Sequence, residues 1–314
     1  MSAQLVAPPA PPALECQNLS RSFGATHALN GFTMSLPAGE VIALVGPNGA
    51  GKATLLLILS GLLAPDSGWA RIGGVDPVER PFEVHSFVGW MPDFFGTYDD
   101  LTSLEYLELF GAAYKMPAEQ STKRAHELLS LVRLNDKSAA PVHTLSRGQK
   151  QKLGFARTLI HSPRILLLDE PASGLDPRAR IELRDLVRRQ RDEGVTVVVS
   201  SHILTELEEM SDHVAFVDAG QCRGVHPLSL LPHGGAARRY KIRALNDVET
   251  PLRAAGVVFE RITPDRVVIE TINDESAADI LARLISQGVR VIEMSPVGGG
   301  LEGAFLAMEQ GGKA

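Results

Sequence analysis

The sequence predicts an α/β protein with a mainly parallel sheet and a helical insert, followed by a small α+β domain. Three observations carry that expectation. Four apolar runs, at 40–46 (EVIALVG), 164–170 (RILLLDE), 195–200 (VTVVVS) and 213–218 (HVAFVD), are continuous rather than alternating, as in strands buried on both faces beside parallel neighbours. Helical patterns follow the first three, so crossover connections are expected. Residues 240–295 read strand, helix, strand, strand, helix, strand, the order of the ferredoxin-like fold.

Composition sets the bounds. The 314 residues suffice for two ordinary domains, at roughly 100–200 residues each. A hydrophobic fraction of 44% with 22% charged residues is the balance of a folded chain. The net charge of −6 supplies no global basic field, so no nucleic-acid partner is expected, and any membrane contact should go through a protein. Cys16 and Cys222 stand far apart in sequence with no C-x-x-C spacing. They read as inert buried thiols in a reducing compartment.

Along the chain, residues 1–13 carry prolines without a basic start or continuous apolar stretch. They read as an extended tail and not as a secretory signal. Residues 14–225 form the predicted α/β domain. Within it about 95–160 is almost free of strand patterns and reads as a helical subdomain. The longest apolar run, LLLILSGLL at 55–63, is too short to span a bilayer, which takes about 20 residues. Residues 226–239 are punctuated by Pro and Gly and read as a linker. In the predicted C-terminal domain, 240–314, strands are expected at 240–244, 257–261, 266–271 and 289–295. Helices are expected at 247–255 and 274–288, the latter opened by acids and closed by Gly. A further short helix is expected at 301–309.

The chemistry concentrates in two motifs. Gly46, Pro47, Asn48, Gly49, Ala50, Gly51 and Lys52 have the spacing G-x-x-x-x-G-K between a strand and a helix. Glycines allow successive backbone N–H groups to turn toward one anion, the helix N-terminus adds partial positive charge, and Lys52 would reach the β- and γ-phosphates. The strand ending ILLLDEP supplies two acids. Asp169 suits a magnesium ion and Glu170 suits a base for an attacking water.

With these motifs in order, the chain resembles the nucleotide-binding subunit of ATP-binding cassette transporters over residues 14–225. LSRGQ (145–149) resembles the family signature LSGGQ, with Arg147 in place of a glycine. SGLDP (173–177) resembles its D-loop, and SSHIL carries a switch histidine, His202. RSFG places Phe23 where the family stacks an aromatic ring on adenine. The resemblance implies a P-loop NTPase cassette that binds ATP and Mg2+. It implies a head-to-tail dimer with a second nucleotide-binding subunit, in which Ser146 and Gly148 of one copy close over the γ-phosphate held by the other. It also implies an integral membrane permease as partner, so that the chain lies peripherally on the cytoplasmic face of the cell membrane. Glu170 would orient and deprotonate water, and His202 would bind the γ-phosphate.

Two positions depart from the family pattern. Ala53 stands where the family carries a Ser or Thr that holds magnesium. Thr54 is one position on, about 100° further round the helix, where the family contacts the α-phosphate. Asp93, in GWMPDFF, stands where the family usually has a glutamine. A carboxylate is a good ligand for a hard cation, and related exporter ATPases share this wording. Glu170 and His202 are both present, so hydrolysis is expected to be slowed rather than lost. The alternative is a regulatory subunit that clamps ATP and barely turns it over within a heteromeric complex.

Nine of the 17 aromatic residues fall within 82–114, where the family builds its groove for the permease. Phe94, Phe95 and Tyr98 sit in a Gly- and Asp-rich loop and are expected to be exposed anchors. The C-terminal segment resembles the accessory domain of multidrug-type exporter ATPases. A dimerising or regulatory role is expected of it, because it carries no cluster of titratable residues.

Overall fold

The computed structural model describes residues 12–94, 96, 98, 100–231, 238–263, 265–297, 301, 303 and 305. The chain divides into two compact units, Met1–Pro227 and Leu228–Ala314.

The first unit opens with a hairpin, β1 (Leu14–Phe23) and β2 (Thr26–Leu36), and continues with β3 (Val41–Val45), α1 (Lys52–Leu59), β4 (Ser67–Ile72), α2 (Pro81–His85) and β5 (Val88–Met91). Three helices follow: α3 (Ser103–Ala113), α4 (Ala118–Leu131) and α5 (Arg147–Thr158). The unit closes with β6 (Ile165–Asp169), α6 (Pro177–Asp192), β7 (Thr196–Ser200), α7 (Leu204–Met210), β8 (His213–Asp218) and β9 (Gln221–Pro227). The six-stranded sheet has the order β5-β6-β7-β3-β8-β9. It is parallel except for β9, which runs antiparallel to β8. A separate antiparallel sheet has the order β2-β1-β4.

Three of the four apolar runs form strands with parallel neighbours, because residues on both of their faces are covered. Leu167 and Val198 face a core shared with Leu14, Phe32 and Leu36 of the antiparallel sheet and with Leu55, Leu56 and Ile58 of α1. Leu166, Leu168, Val197 and Val199 alternate to the other face and are equally buried, where α6 packs on β7 and β3. The fourth run, β8, departs from expectation. Its outer neighbour is antiparallel, since the tight turn after Asp218, with Ala219 and Gly220 both at positive φ, folds the chain straight back.

The helical segment forms as its caps direct. Thr102 and Glu105 make a reciprocal capping box at the start of α3, which satisfies two donors that a helix end would leave orphaned. Gly111 lets α4 approach closely, since a Cβ there would lie 2.0 Å from Oγ of Ser121. Tyr106 is fully buried. Behind this layer His161 stacks on Tyr114 with centroids 3.9 Å apart and donates through Nε2 to the Val88 carbonyl (3.1 Å). Burial pushes its imidazole down to about 4. The Val88 carbonyl opposes that shift, and the charges of Arg124 and His85 add to it.

The second unit comprises β10 (Arg238–Ala244), α8 (Glu249–Ala254), β11 (Phe259–Thr263), β12 (Arg266–Thr271), α9 (Asp274–Ser286) and β13 (Val291–Val297). All pairings are antiparallel and the strand order is β11-β12-β10-β13. Ile242, Val267 and Ile269 form its core with Leu252 of α8 and Leu284 of α9. The alternate residues of β10 face outward in ion pairs: Arg239 with Glu260 (2.5 Å), Lys241 with Glu293 (3.0 Å) and Arg243 with Asp265 (3.3 Å). Exposed pairs of this kind contribute little stability. The helix expected from residue 247 starts at Glu249, because the Asp247 carboxylate accepts from the N–H groups of Glu249 and Thr250 and caps it from outside. Most of the stretch 301–309, expected to be helical, lies outside the described residues.

Two predictions follow from this packing. Ile242→Ala removes a fully buried side chain and should cost about 2–5 kcal/mol, read as a lower denaturant midpoint for the C-terminal unit with nucleotide affinity unchanged. For His161, the unfolded chain takes up a proton near its ordinary value of 6.5 while the folded chain does so only near 4. Stability from this group should therefore be intact above about pH 6.5 and fall as pH drops toward about 4. A His161→Gln variant should show a flatter pH dependence of thermal unfolding over that window.

Candidate functional site

The fully buried strand β3 delivers Gly46 into a loop that runs to the start of α1. Two of its glycines are required by space. A Cβ on Gly46 would lie 2.0 Å from the Val217 carbonyl oxygen of β8, and one on Gly51 would lie 2.3 Å from the Ala28 carbonyl oxygen of β2. Gly51 also has φ 106°, the left-handed geometry that initiates α1 without a side-chain cap. Gly49 is left-handed at φ 82° but faces open space. The loop is pinned at its base by Gly220 N–H donating to the Ala50 carbonyl (3.0 Å) and Asn30 N–H donating to the Gly220 carbonyl (2.9 Å).

Lys52 is 8% exposed and curls under the loop. Its ammonium donates to the carbonyls of Gly46 (2.7 Å) and Pro47 (3.0 Å). Burial lowers its pKa, and the carboxylates of Glu170 and Asp169 oppose that shift. The lysine and both acids therefore share one electrostatic environment. Pro47, Asn48, Gly49 and Ala53 are exposed, Ala50 is buried and Thr54 is half-buried.

The acids end β6, and parallel pairing sets Asp169 beside Ser200, the last residue of β7. The Ser200 hydroxyl donates to Oδ1 of Asp169 (2.6 Å) and accepts from the Glu170 N–H (3.0 Å). Burial raises the Asp169 pKa. The Ser200 hydroxyl opposes the shift, the charges of Asp93 and Glu170 add to it, and Lys52 opposes it. Glu170 has φ 47°, a left-handed conformation that costs an L-residue about 1–2 kcal/mol. Its carboxylate accepts from Nδ1 of His202 (2.7 Å). Glu170, His202, Asp169 and Lys52 thus come together at the carboxyl ends of β3, β6 and β7. Asp93, just past β5, is exposed but close enough to act on the Asp169 carboxyl.

Ser146 and Gly148 stand apart from this cluster, at the start of α5. The Ser146 side chain caps Gln149, which returns the bond. Arg147 is turned onto the D-loop, where a Cβ on Gly174 would meet its guanidinium at 2.2 Å. Phe23 ends β1 and is 50% exposed, with the Arg21 guanidinium over its ring at 5.0 Å. Sequence reasoning passed over Ser200 and the contact between Arg147 and Gly174. A hydroxyl following three valines in TVVVS, two residues before His202, was the available signal for the first. No local signal marks the second.

Residues 29–173 match the family described as ABC transporter. The linearmycin resistance ATP-binding protein LnrL of Bacillus subtilis is 32% identical over 208 residues, which cover 66% of this chain and 67% of that protein. This chain belongs to the ABC transporter family. It is an ATPase cassette and binds nucleotide. The lantibiotic transport ATP-binding protein SrtF of Streptococcus pyogenes is 37% identical over 209 residues, 66% of this chain and 88% of that one. A solved ATP-binding cassette, a dimer in a post-hydrolysis state with ADP and Pi, matches with a TM-score of 0.63 at 26% identity, over 68% of this chain and 98% of that one. Among the described residues, no helix of this ABC protein is long and apolar enough to cross a membrane.

The loop geometry separates its glycines by experiment. Gly46→Ala should abolish ATP binding in a fluorescence titration, because a backbone oxygen occupies the new atom's place. Gly49→Ala should cost only about 1–2 kcal/mol of conformational strain and leave binding measurable.

Proposed function

We propose that the chain is the ATP-binding subunit of an exporter, coupling ATP binding and hydrolysis to transport by a separate permease. One observation carries this reading. Glu170 is held by His202 at 2.7 Å, within the electrostatic reach of the lysine of an intact phosphate loop. That is the arrangement of a base beside a nucleotide cradle. The names of two relatives, linearmycin resistance for LnrL and lantibiotic transport for SrtF, support the transport reading.

On this reading the triphosphate lies across the backbone N–H groups of residues 46–52 and displaces the carbonyls of Gly46 and Pro47 from the Lys52 ammonium. Phe23 stacks on the base. Thr54 lies near the α-phosphate. The Glu170 carboxylate orients the attacking water and takes its proton, with His202 fixing the carboxylate and contacting the γ-phosphate. A magnesium ion fits the donor set. Three acids, Asp169, Asp93 and Glu170, press on one site against one ammonium, and carboxylate oxygens suit a hard cation. Asp169 and Asp93 would hold it. When bound, Mg2+ supplies charge neutralisation at the phosphates. Ala53 offers no oxygen, which is the observation favouring the second reading, a subunit that clamps ATP but barely hydrolyses it beside an active partner.

Two copies closing head-to-tail would bring Ser146 and Gly148 of each over the other's γ-phosphate, using the positive end of α5. The permease would dock near Phe94, 88% exposed, and Tyr98. Phe95 lies outside the described residues. A cleft of about 220 Å3 among Trp90, Phe110, Tyr114 and Arg157 supports that placement. So do the buried or half-buried positions of Phe87, Trp90, Tyr106 and Phe110, although Phe82 and Tyr114 are also exposed. The chain would then sit at the cytoplasmic face of the membrane through that partner.

Phosphate release by the purified protein at saturating Mg2+ and ATP tests the reading. Wild type should exceed Glu170→Gln, and equal rates would favour the clamp. Ala53→Ser should raise the rate by roughly 10- to 150-fold, the value of one interaction with a charged group. Phe94→Ala and Tyr98→Ala should weaken co-purification with the membrane partner while ATP affinity stays constant.

A further inference from the structure

We infer that Ser200 is a positioning residue for hydrolysis: its buried hydroxyl orients the Asp169 carboxylate and, together with its own carbonyl, fixes the Glu170 backbone. The inference rests on the ATPase reading above. Ser200 has no exposed surface, and it ends a strand whose three preceding residues are valines. A fourth apolar side chain would serve packing as well, whereas a buried hydroxyl is costly unless its hydrogen bonds are made.

The bonds it makes all go to the acids. Its one donor goes to Oδ1 of Asp169 at 2.6 Å, within the short range of charge-assisted O–H···O bonds. Its oxygen accepts from the Glu170 N–H at 3.0 Å, and its own carbonyl accepts from the same N–H at 3.2 Å. Glu170 holds a left-handed backbone at φ 47°, and such a conformation persists only where its surroundings over-determine it. Here two oxygens of one residue share that task. The turn they fix aims the Glu170 carboxylate at His202. Position 53 carries a methyl and no hydroxyl, and Thr54 is one position round the helix. The Asp169 carboxylate is therefore oriented from β7.

The two acceptors on Glu170 N–H separate the effects of substitution. Ser200→Ala keeps the backbone carbonyl and so keeps the turn, but it frees the Asp169 carboxylate. Ser200→Thr keeps the hydroxyl. The experiment compares the full-length wild type, Ser200→Ala, Ser200→Thr and Glu170→Gln by steady-state phosphate release, by thermal unfolding and by ATP affinity titrated against Mg2+. Ser200→Ala should lose roughly 10- to 100-fold in kcat with KM for ATP within about twofold, and Ser200→Thr should recover most of that loss. A kcat for Ser200→Ala within about twofold of wild type, or a Thr variant as slow as the Ala variant, overturns the inference. If Ser200→Ala does not fold, Ser200→Thr alone decides it, by keeping or losing the wild-type rate. If wild type is no faster than Glu170→Gln, the ATPase reading fails instead. The Mg2+ titration then decides the role of Ser200. An Ala variant needing about tenfold more Mg2+ for half-maximal ATP binding supports it, and an unshifted requirement overturns it.

Discussion

The parallel register of the central sheet is the constraint on which the site depends. Strands β3, β6 and β7 lie side by side and run the same way, so Gly46, Asp169 and Ser200 emerge at one edge. No long-range loop has to bring these groups together. In open α/β sheets ligands bind beyond the carboxyl ends of the strands for this reason. The strands are buried on both faces, so close packing against the layers on each side holds their register. Fixing the core therefore fixes the spacing between the lysine of α1 and the acids of β6.

Much of this was legible in the sequence because parallel, doubly covered strands leave a continuous apolar signal. VIALV, ILLLD and TVVVS need no partner to be recognised. The antiparallel sheet left no such trace. In LECQNLSRSF and THALNGFTMSL the buried residues are apolar but irregularly spaced outside 32–36, and their pairing is broken by register shifts after Cys16, Leu19 and Arg21. A bulge changes which face a residue points to, so strict alternation is lost. For β9 the reason differs: its half-buried residues carry neither a continuous nor an alternating pattern. In the second unit the element order was legible, while the strand ends at β11 and β13 lie two residues later than their apolar patterns indicate.

The site divides in the same way. Residues whose role is set by local geometry were readable: the glycines of the loop, Lys52 after them, and the two acids ending a strand. Residues whose role is set by pairing across the sheet were not. Ser200 gains its meaning from the strand beside it, and Arg147 from a glycine of a loop 27 positions later. The two Cys residues sit between these cases. Both thiols are raised by burial, Cys16 to about 12, as a low-polarity setting requires, but Cys222 is only half-buried, because β9 is an edge strand.

The contacts of Lys52 with two carbonyls of its own loop have a bearing on selectivity. An arriving anion must compete with those two oxygens for the ammonium. The more charge and the more oxygens an anion carries, the more readily it replaces the two carbonyls and meets the backbone N–H groups together.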